Sequence, residues 1–224
     1  MGALTIVAIV IVVVLLGLLI WRMSAPAPKT SDAIDLYAGS TSGKERKAFK
    51  SEIPRSFNQS QGITFTYTGW ILINDFTFNY GSKRLIFTRD DCPGLYLDTT
   101  SNSLLVVVNT YGATESILIP NMTAKKWIHF AIVVDQDAVD VYINGLLRQH
   151  HSLSQIPRQT ESQVIIGDAE AAGWDGVLSN LQYTPRSLSA AEISALTANV
   201  PEDDLHKTPS GPGYFDMTWY VGRT

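Results

Sequence analysis

WIHFAIVVDQDAVDVYING, residues Trp127 to Gly145, reads as two β-strands joined by a turn, with a second turn opening at its end. Alternation sends Trp127, His129, Ala131 and Val133 to one side of the first strand and Ile128, Phe130, Ile132 and Val134 to the other. Both sets are largely apolar, so this strand is expected to be covered on both faces. "QDA" turns the chain, after which Val139, Val141 and Ile143 face a core. Asn144-Gly145 is the best short hairpin signal present, because both residues tolerate positive φ. "LLRQHHSL" supplies the returning strand.

Further strands extend in both directions. "ITFTYTGWILIND" alternates Ile63, Phe65 and Tyr67 with Thr64, Thr66 and Thr68, the pattern of a half-buried strand, and turns apolar on both faces from Trp70 to Ile73. "KRLIFTRD", "LYLD", "SLLVVVNT" and "ESILIP" follow, with a Pro93-Gly94 turn after the first of them. "SQVIIGD" and "GVLSNLQYT" come last. Asp35 to Tyr37 could open the first strand, and "GSTSGKERKAF" (39–49) is expected to be a loop. A single helix stands out in the soluble region, "SLSAAEISALTAN", where Ser189 and Glu192 form a capping box and Leu188, Ile193 and Leu196 can pin it to a sheet. The expectation is an all-β two-sheet antiparallel jelly-roll sandwich with one short C-terminal helix, over residues 34–198 and without internal repeats.

The sandwich is preceded by "ALTIVAIVIVVVLLGLLIW", Ala3 to Trp21, which carries no charged residue. At about 1.5 Å per helical residue it nearly crosses a hydrocarbon core of about 30 Å. Ala3, Leu16 and Leu19 would face lipid, with Trp21 and Arg22 at the interface, making residues 1–22 a transmembrane anchor. A cleaved signal peptide is the competing reading, since "APA" at 25–27 fits a cleavage site. The run is longer than the usual h-region and no Lys or Arg precedes it. Arg22, Lys29, Lys44, Arg46 and Lys47 follow the span, which by the positive-inside rule places the large domain on the cytosolic side. The sequons at Asn58 and Asn121 point the other way. Residues 23–33 form a Pro/Ala/Ser linker, and residues 199–224 a tail ending in Tyr214, Phe215, Trp219 and Tyr220. These four aromatics are expected to leave water, either folded back on the sandwich or docked on another subunit.

Two blocks carry a resemblance. "KKWIHFAIVVD…VDVYINGLL" and "VIIGD…GWDGVLSNLQYTPRSLSAAEI" resemble the signatures of laminin-G-like, concanavalin A-like jelly rolls, with Gly176, Ser179, Tyr183, Arg186, Leu188, Ser189 and Glu192 where that pattern expects them. The resemblance spans roughly Phe57 to Ala198. It implies the two-sheet jelly roll but not one function, because this fold hosts lectins, glycanases, adhesion modules and virion proteins.

The chemistry expected of these classes can be tested against the residues. A net charge of -4 gives no electrostatic reason to expect nucleic acid. The carboxylate string Glu-x-Asp-x-x-Glu of glycanases on this fold is missing, and Asp168 with Glu170 lacks a third carboxylate. The single cysteine, Cys92, precedes Pro93 in a turn with no histidine placed to activate it. His129 alternates with core residues and is expected to make one buried hydrogen bond; His150 and His151 point to opposite faces and cannot share a metal. No catalytic residue or cofactor is therefore expected. Asp90, Asp91 and Asp168 are weak Ca²⁺ candidates by composition, as is Asp175. Trp70 and Trp127 read as core; Tyr111, Trp174 and Asp175 are the candidates for glycan contact.

Two functions remain open. One is a non-catalytic membrane-anchored structural protein, with a lipid bilayer and other subunits as partners. A virion minor capsid protein tethering an internal membrane to a protein shell is its most specific form. The other is a membrane-anchored carbohydrate-binding domain facing outward.

Overall fold

The computed structural model describes residues 2, 12–17, 32–49, 53–56, 63–168 and 172–202. Of the predicted anchor, residues 12–17 are helical and include the exposed Leu16, whereas Ala3, Leu19, Trp21 and Arg22 lie outside the described residues. Among the described residues no helix is long and apolar enough to cross a membrane. The tail residues Tyr214, Phe215, Trp219 and Tyr220 also lie outside the described residues.

Twelve strands follow in chain order: β1 Ile34–Ser42, β2 Lys47–Phe49, β3 Thr64–Asp75, β4 Arg84–Thr88, β5 Gly94–Leu97, β6 Leu104–Asn109, β7 Thr114–Ile119, β8 Trp127–Asp135, β9 Ala138–Ile143, β10 Leu146–Ser152, β11 Val164–Ile166 and β12 Asp175–Thr184. They form two six-stranded sheets, ordered β1-β12-β3-β8-β9-β10 and β2-β11-β4-β5-β6-β7. All named pairings are antiparallel. The sheets enclose one apolar core, with Ile71, Ile73, Phe130, Ile132 and Leu178 from the first sheet meeting Ile86, Phe87, Leu95, Leu104 and Val106 from the second. This is the two-sheet sandwich the alternation predicts.

The Trp127–Gly145 stretch forms β8 and β9 in register, Phe130 opposite Ile143 and Val134 opposite Val139. Asn144 (φ 51°) and Gly145 (φ 79°) make the next turn, both in the left-handed region that a two-residue hairpin demands. β8 is indeed covered twice. Ile128, Phe130, Ile132 and Val134 join the intersheet core, and Ala131 and Val133 pack with Tyr142 under Leu188 and Ile193. The helix Ala190–Leu196 supplies that cover. The Ser189 side chain accepts from the Glu192 N–H at 3.3 Å, and the Glu192 carboxylate accepts from the Ser189 N–H at 2.9 Å. Arg186 adds a link at 2.7 Å to Glu192 and another at 2.7 Å to Asp32.

Three expectations need correction. Thr64, Thr66 and Thr68 are buried, so β3 is not a half-buried strand. The segment entering the helix lies over them: Thr66 Oγ1 donates to the Arg186 carbonyl at 2.8 Å and accepts from the Leu188 N–H at 3.0 Å. Residues 39–49 are not one loop, because β1 runs on to Ser42 and β2 begins at Lys47. The chain passes from one sheet to the other in the short turn between them and closes that side of the sandwich. Trp127 is half-buried rather than core, since it starts its strand at the sheet's rim. On the opposite side β10 meets β7, where His151 Nε2 reaches Glu115 at 2.7 Å.

Candidate functional site

Strand β4 is flanked by two buried arginines, Arg84 at its start and Arg89 just past its end, so each reports on one end of the sandwich. The first end is sealed. The Arg84 guanidinium is fully buried and donates to the carbonyls of Phe76, Phe78 and Asp98, tying two loops to the strand. Burial lowers its pKa, opposed by the nearby Asp98 and Asp75 carboxylates. Trp174 plugs the same end, fully buried, with Gly43 and Gly176 forming its walls. A Cβ on either glycine would collide with the indole, so both positions require glycine for close approach. The Trp174 backbone N–H donates to the Gly43 carbonyl at 3.2 Å, and the Gly43 backbone N–H to the Gly176 carbonyl at 2.9 Å, whereas the indole Nε1 is buried without a partner among the described residues.

The second end is built differently. Arg89 Nε donates to the Ser162 carbonyl at 3.2 Å. A narrow pocket lies beside it, lined by Phe65 and Tyr67 of β3, Arg89, Cys92, Gln159, Thr160 and Tyr183 of β12. Tyr67 stacks on Phe87 (ring centroids 5.5 Å apart) and meets Tyr183 edge-on at 5.1 Å. The Tyr183 hydroxyl donates to the Pro54 carbonyl at 3.0 Å, whereas the buried Tyr67 hydroxyl has no acceptor among the described residues. Burial raises the pKa of Tyr67 against the opposing pull of the Arg89 charge. The same burial pushes the Cys92 thiol up to about 12, so the thiolate that nucleophilic chemistry needs is not formed near neutral pH.

On the rim of this second end, Tyr111 is exposed, with Ile156 beside it. The turn carrying Tyr111 is well held. Thr110 Oγ1 donates to the Ala113 carbonyl at 2.6 Å and accepts from the N–H groups of Gly112 and Ala113 at 3.1 and 3.0 Å. The Tyr111 N–H donates to the Ile156 carbonyl at 3.0 Å, and Thr110 bridges to Pro157. Two loops are thus clamped together with an aromatic ring presented to solvent.

The sequence-derived candidates separate accordingly. Tyr111 is placed as a surface contact requires. Trp174 is not, because a fully buried indole between two glycines cannot stack on a sugar. Asp175 lies with Trp174 at the sealed end, paired with Lys44 at 3.1 Å and accepting from the Asn74 amide at 3.5 Å. Asp90 and Asp91 both take positive φ in the turn before β5. Asp91 accepts from the Tyr96 hydroxyl and, at 3.2 Å, from Thr88; Asp90 accepts from Thr160 at 3.4 Å. Asp168 follows β11 at the other end. Among the described residues no three His, Cys, Asp or Glu converge as a metal site. His129 also departs from expectation. Its N–H donates to the Asn144 side chain at 2.9 Å, but ring Nδ1 is buried without a partner and Trp70 covers the ring edge-on at 5.1 Å. Burial depresses its pKa from 6.5 to about 4. His150 pairs with Asp140 at 2.6 Å on the other face of β10 from the His151–Glu115 contact. Arg89 was not singled out in the sequence and Tyr67 read only as an alternating strand residue; the one available signal was a cation at the end of an apolar strand.

Residues 44–194 match a family model described as the concanavalin A-like lectin/glucanases superfamily. Among solved structures, the receptor binding domain of botulinum neurotoxin D is similar at TM-score 0.57 and 14% identity, covering 75% of this chain and 46% of that one. The binding domain of botulinum neurotoxin DC in complex with SialylT is similar at TM-score 0.51 and 15% identity, covering 61% and 36%. The same domain in complex with rat synaptotagmin II gives TM-score 0.50, 14% identity and coverage of 61% and 36%. The chain therefore spans less than half of these neighbours, and at such identity the likeness is one of fold. No curated protein matches the chain.

Proposed function

Because the chain belongs to the concanavalin A-like lectin/glucanases superfamily, we propose that it is a non-catalytic carbohydrate-recognition domain whose contact surface is the loop pair of Tyr111 and Ile156. The observation that carries this reading is the exposed Tyr111 ring on a turn already locked by Thr110, which needs no ordering on binding. Stacking on a pyranose face uses such a ring. The neurotoxin binding domain solved with SialylT is a fold neighbour consistent with this class of ligand. The N-terminal apolar run would hold the domain at a membrane surface, facing outward. The test is glycan-array binding of the full-length protein in detergent, with and without Ca²⁺. Saturable binding that falls at least about tenfold in Tyr111→Ala supports the reading. Binding untouched by Tyr111→Ala rejects this surface, and the absence of any binding rejects the function.

A second reading rests on the uncharged Ala3–Trp21 run together with the aromatic tail Tyr214, Phe215, Trp219 and Tyr220. In it the chain ties a bilayer to a protein layer, as a virion minor capsid protein would, with the sandwich on the cytosolic side. Glycans on Asn58 or Asn121 favour the first reading. Unmodified sequons, with assembly lost on deletion of residues 210–224, favour the second.

A further inference from the structure

We propose that the pocket between Arg89, Tyr67 and Tyr183 binds a small singly charged anion, either a free halide or the carboxylate tip of a larger acid. Arg89 is 8% exposed, yet no carboxylate among the described residues forms an ion pair with it. The acidic side chains nearby are otherwise engaged: Glu161 pairs with Arg55 out in solvent, and Asp90 accepts from Thr160. The hydrogen bond that Arg89 makes uses Nε on the Ser162 carbonyl. A guanidinium taken out of water without a counterion is costly, and it has five donors to satisfy. The second observation is independent of charge. The Tyr67 hydroxyl lines the same pocket, is 1% exposed and finds no acceptor among the described residues, its neighbour Arg89 offering only donors. Such orphaned groups are few in folded proteins, and one that faces a pocket marks a place for a water, an ion or a ligand. One anion placed in the pocket would accept from Tyr67 and from Arg89 together. Thr160 lies at the pocket with its hydroxyl committed to Asp90 and Ser162, and Cys92 contributes a protonated thiol already directed at the Arg158 carbonyl. The narrowness of the pocket and the adjacent Asp90 charge select against multiply charged anions.

The inference goes beyond the carbohydrate reading and stands or falls separately, because Tyr111 does not line the pocket. The experiment is ³⁵Cl NMR line broadening of chloride by the full-length protein in detergent, followed by displacement with sodium acetate at constant ionic strength. Excess broadening in the wild type that disappears in Arg89→Met establishes the site. Displacement by acetate identifies a carboxylate subsite, and its failure identifies a halide site. Tyr67→Phe, which keeps the ring and its packing, should weaken chloride by about tenfold through loss of one charge-assisted hydrogen bond. It serves as the test variant if Arg89→Met fails to fold. Broadening equal in wild type, Arg89→Met and Tyr67→Phe overturns the proposal.

Discussion

Arg84 and Arg89 sit at opposite ends of one short strand, and both are buried, but they are satisfied in opposite ways. Arg84 donates to three backbone carbonyls and closes its end of the sandwich. Arg89 donates to the Ser162 carbonyl and faces a pocket containing an orphaned hydroxyl. The same residue type therefore acts as a structural fastener where the loops bring carbonyls to it, although Arg84 Nε is left without a partner among the described residues, and lines a pocket where they do not. The exposed, clamped loops of Tyr111 and Ile156 rim the Arg89 end, whereas the glycine-walled Trp174 belongs to the Arg84 end. The proposed contact surface lies at the end that carries both the pocket and the exposed Tyr111.

The largest effect that could break this comparison comes from making the same substitution twice. Arg84→Met strips three carbonyls of their donor in a buried site, and it should cost at least about 3 kcal/mol. Arg89→Met removes an uncompensated buried cation and one hydrogen bond, so it should change stability by no more than about 1 kcal/mol in low-chloride buffer. Urea unfolding of the two variants beside the wild type measures both. Equal losses would show that Arg89 is as fully committed as Arg84.

His129 sharpens the comparison, because it too is a buried group lacking a partner, but on the outer face of the first sheet. Its folded pKa near 4 lies below its ordinary 6.5, so the folded state keeps the ring neutral while the unfolded chain takes up a proton. Its contribution is fully present above about 6.5 and is lost as pH falls toward 4, amounting to about 3 kcal/mol across that window. Glu192 is held near 2, chiefly by Arg186, and its stabilisation is present above its ordinary 4.5 and lost as pH falls toward 2. The comparison of His129→Gln with wild type isolates the first effect. The variant's stability should decline less between pH 7 and pH 4, and parallel curves would place a compensating partner on the ring.

Much of the architecture was legible from alternation alone. The period-two pattern of β8 and β9, the Asn144-Gly145 turn and the Ser189/Glu192 capping box each encode a local geometry that the fold then uses. What the pattern could not reveal depends on distant partners. Trp174, between Gly173 and Asp175 at a strand entrance, can be either core or surface in one dimension; in three, Gly43 arrives from β1's end and turns the indole into a plug. Thr66 looks solvent-facing until the segment from Arg186 to Leu188 lies over it. The exposure of Tyr111 was legible because its turn is local, held mainly by Thr110 next to it. Tyr67 and Arg89 were not, since the pocket draws on three strand ends and a loop far apart in the chain.

The smallest expected effect is also the most discriminating. Tyr67→Phe removes only an oxygen whose hydrogen bond is missing, so in chloride-free buffer it should be neutral or slightly stabilising, by less than about 1 kcal/mol. Tyr111→Ala should likewise stay within about 0.5 kcal/mol, because its ring touches water. The two near-zero values would have different origins, and chloride separates them. Raising chloride should stabilise the wild type and Tyr111→Ala alike but stabilise Tyr67→Phe less, since only that variant has lost a ligand-binding donor. If Tyr67→Phe instead costs more than about 1.5 kcal/mol without chloride, the hydroxyl is already satisfied within the protein. The Arg89 end would then be as closed as the Arg84 end, and the contrast between them would vanish.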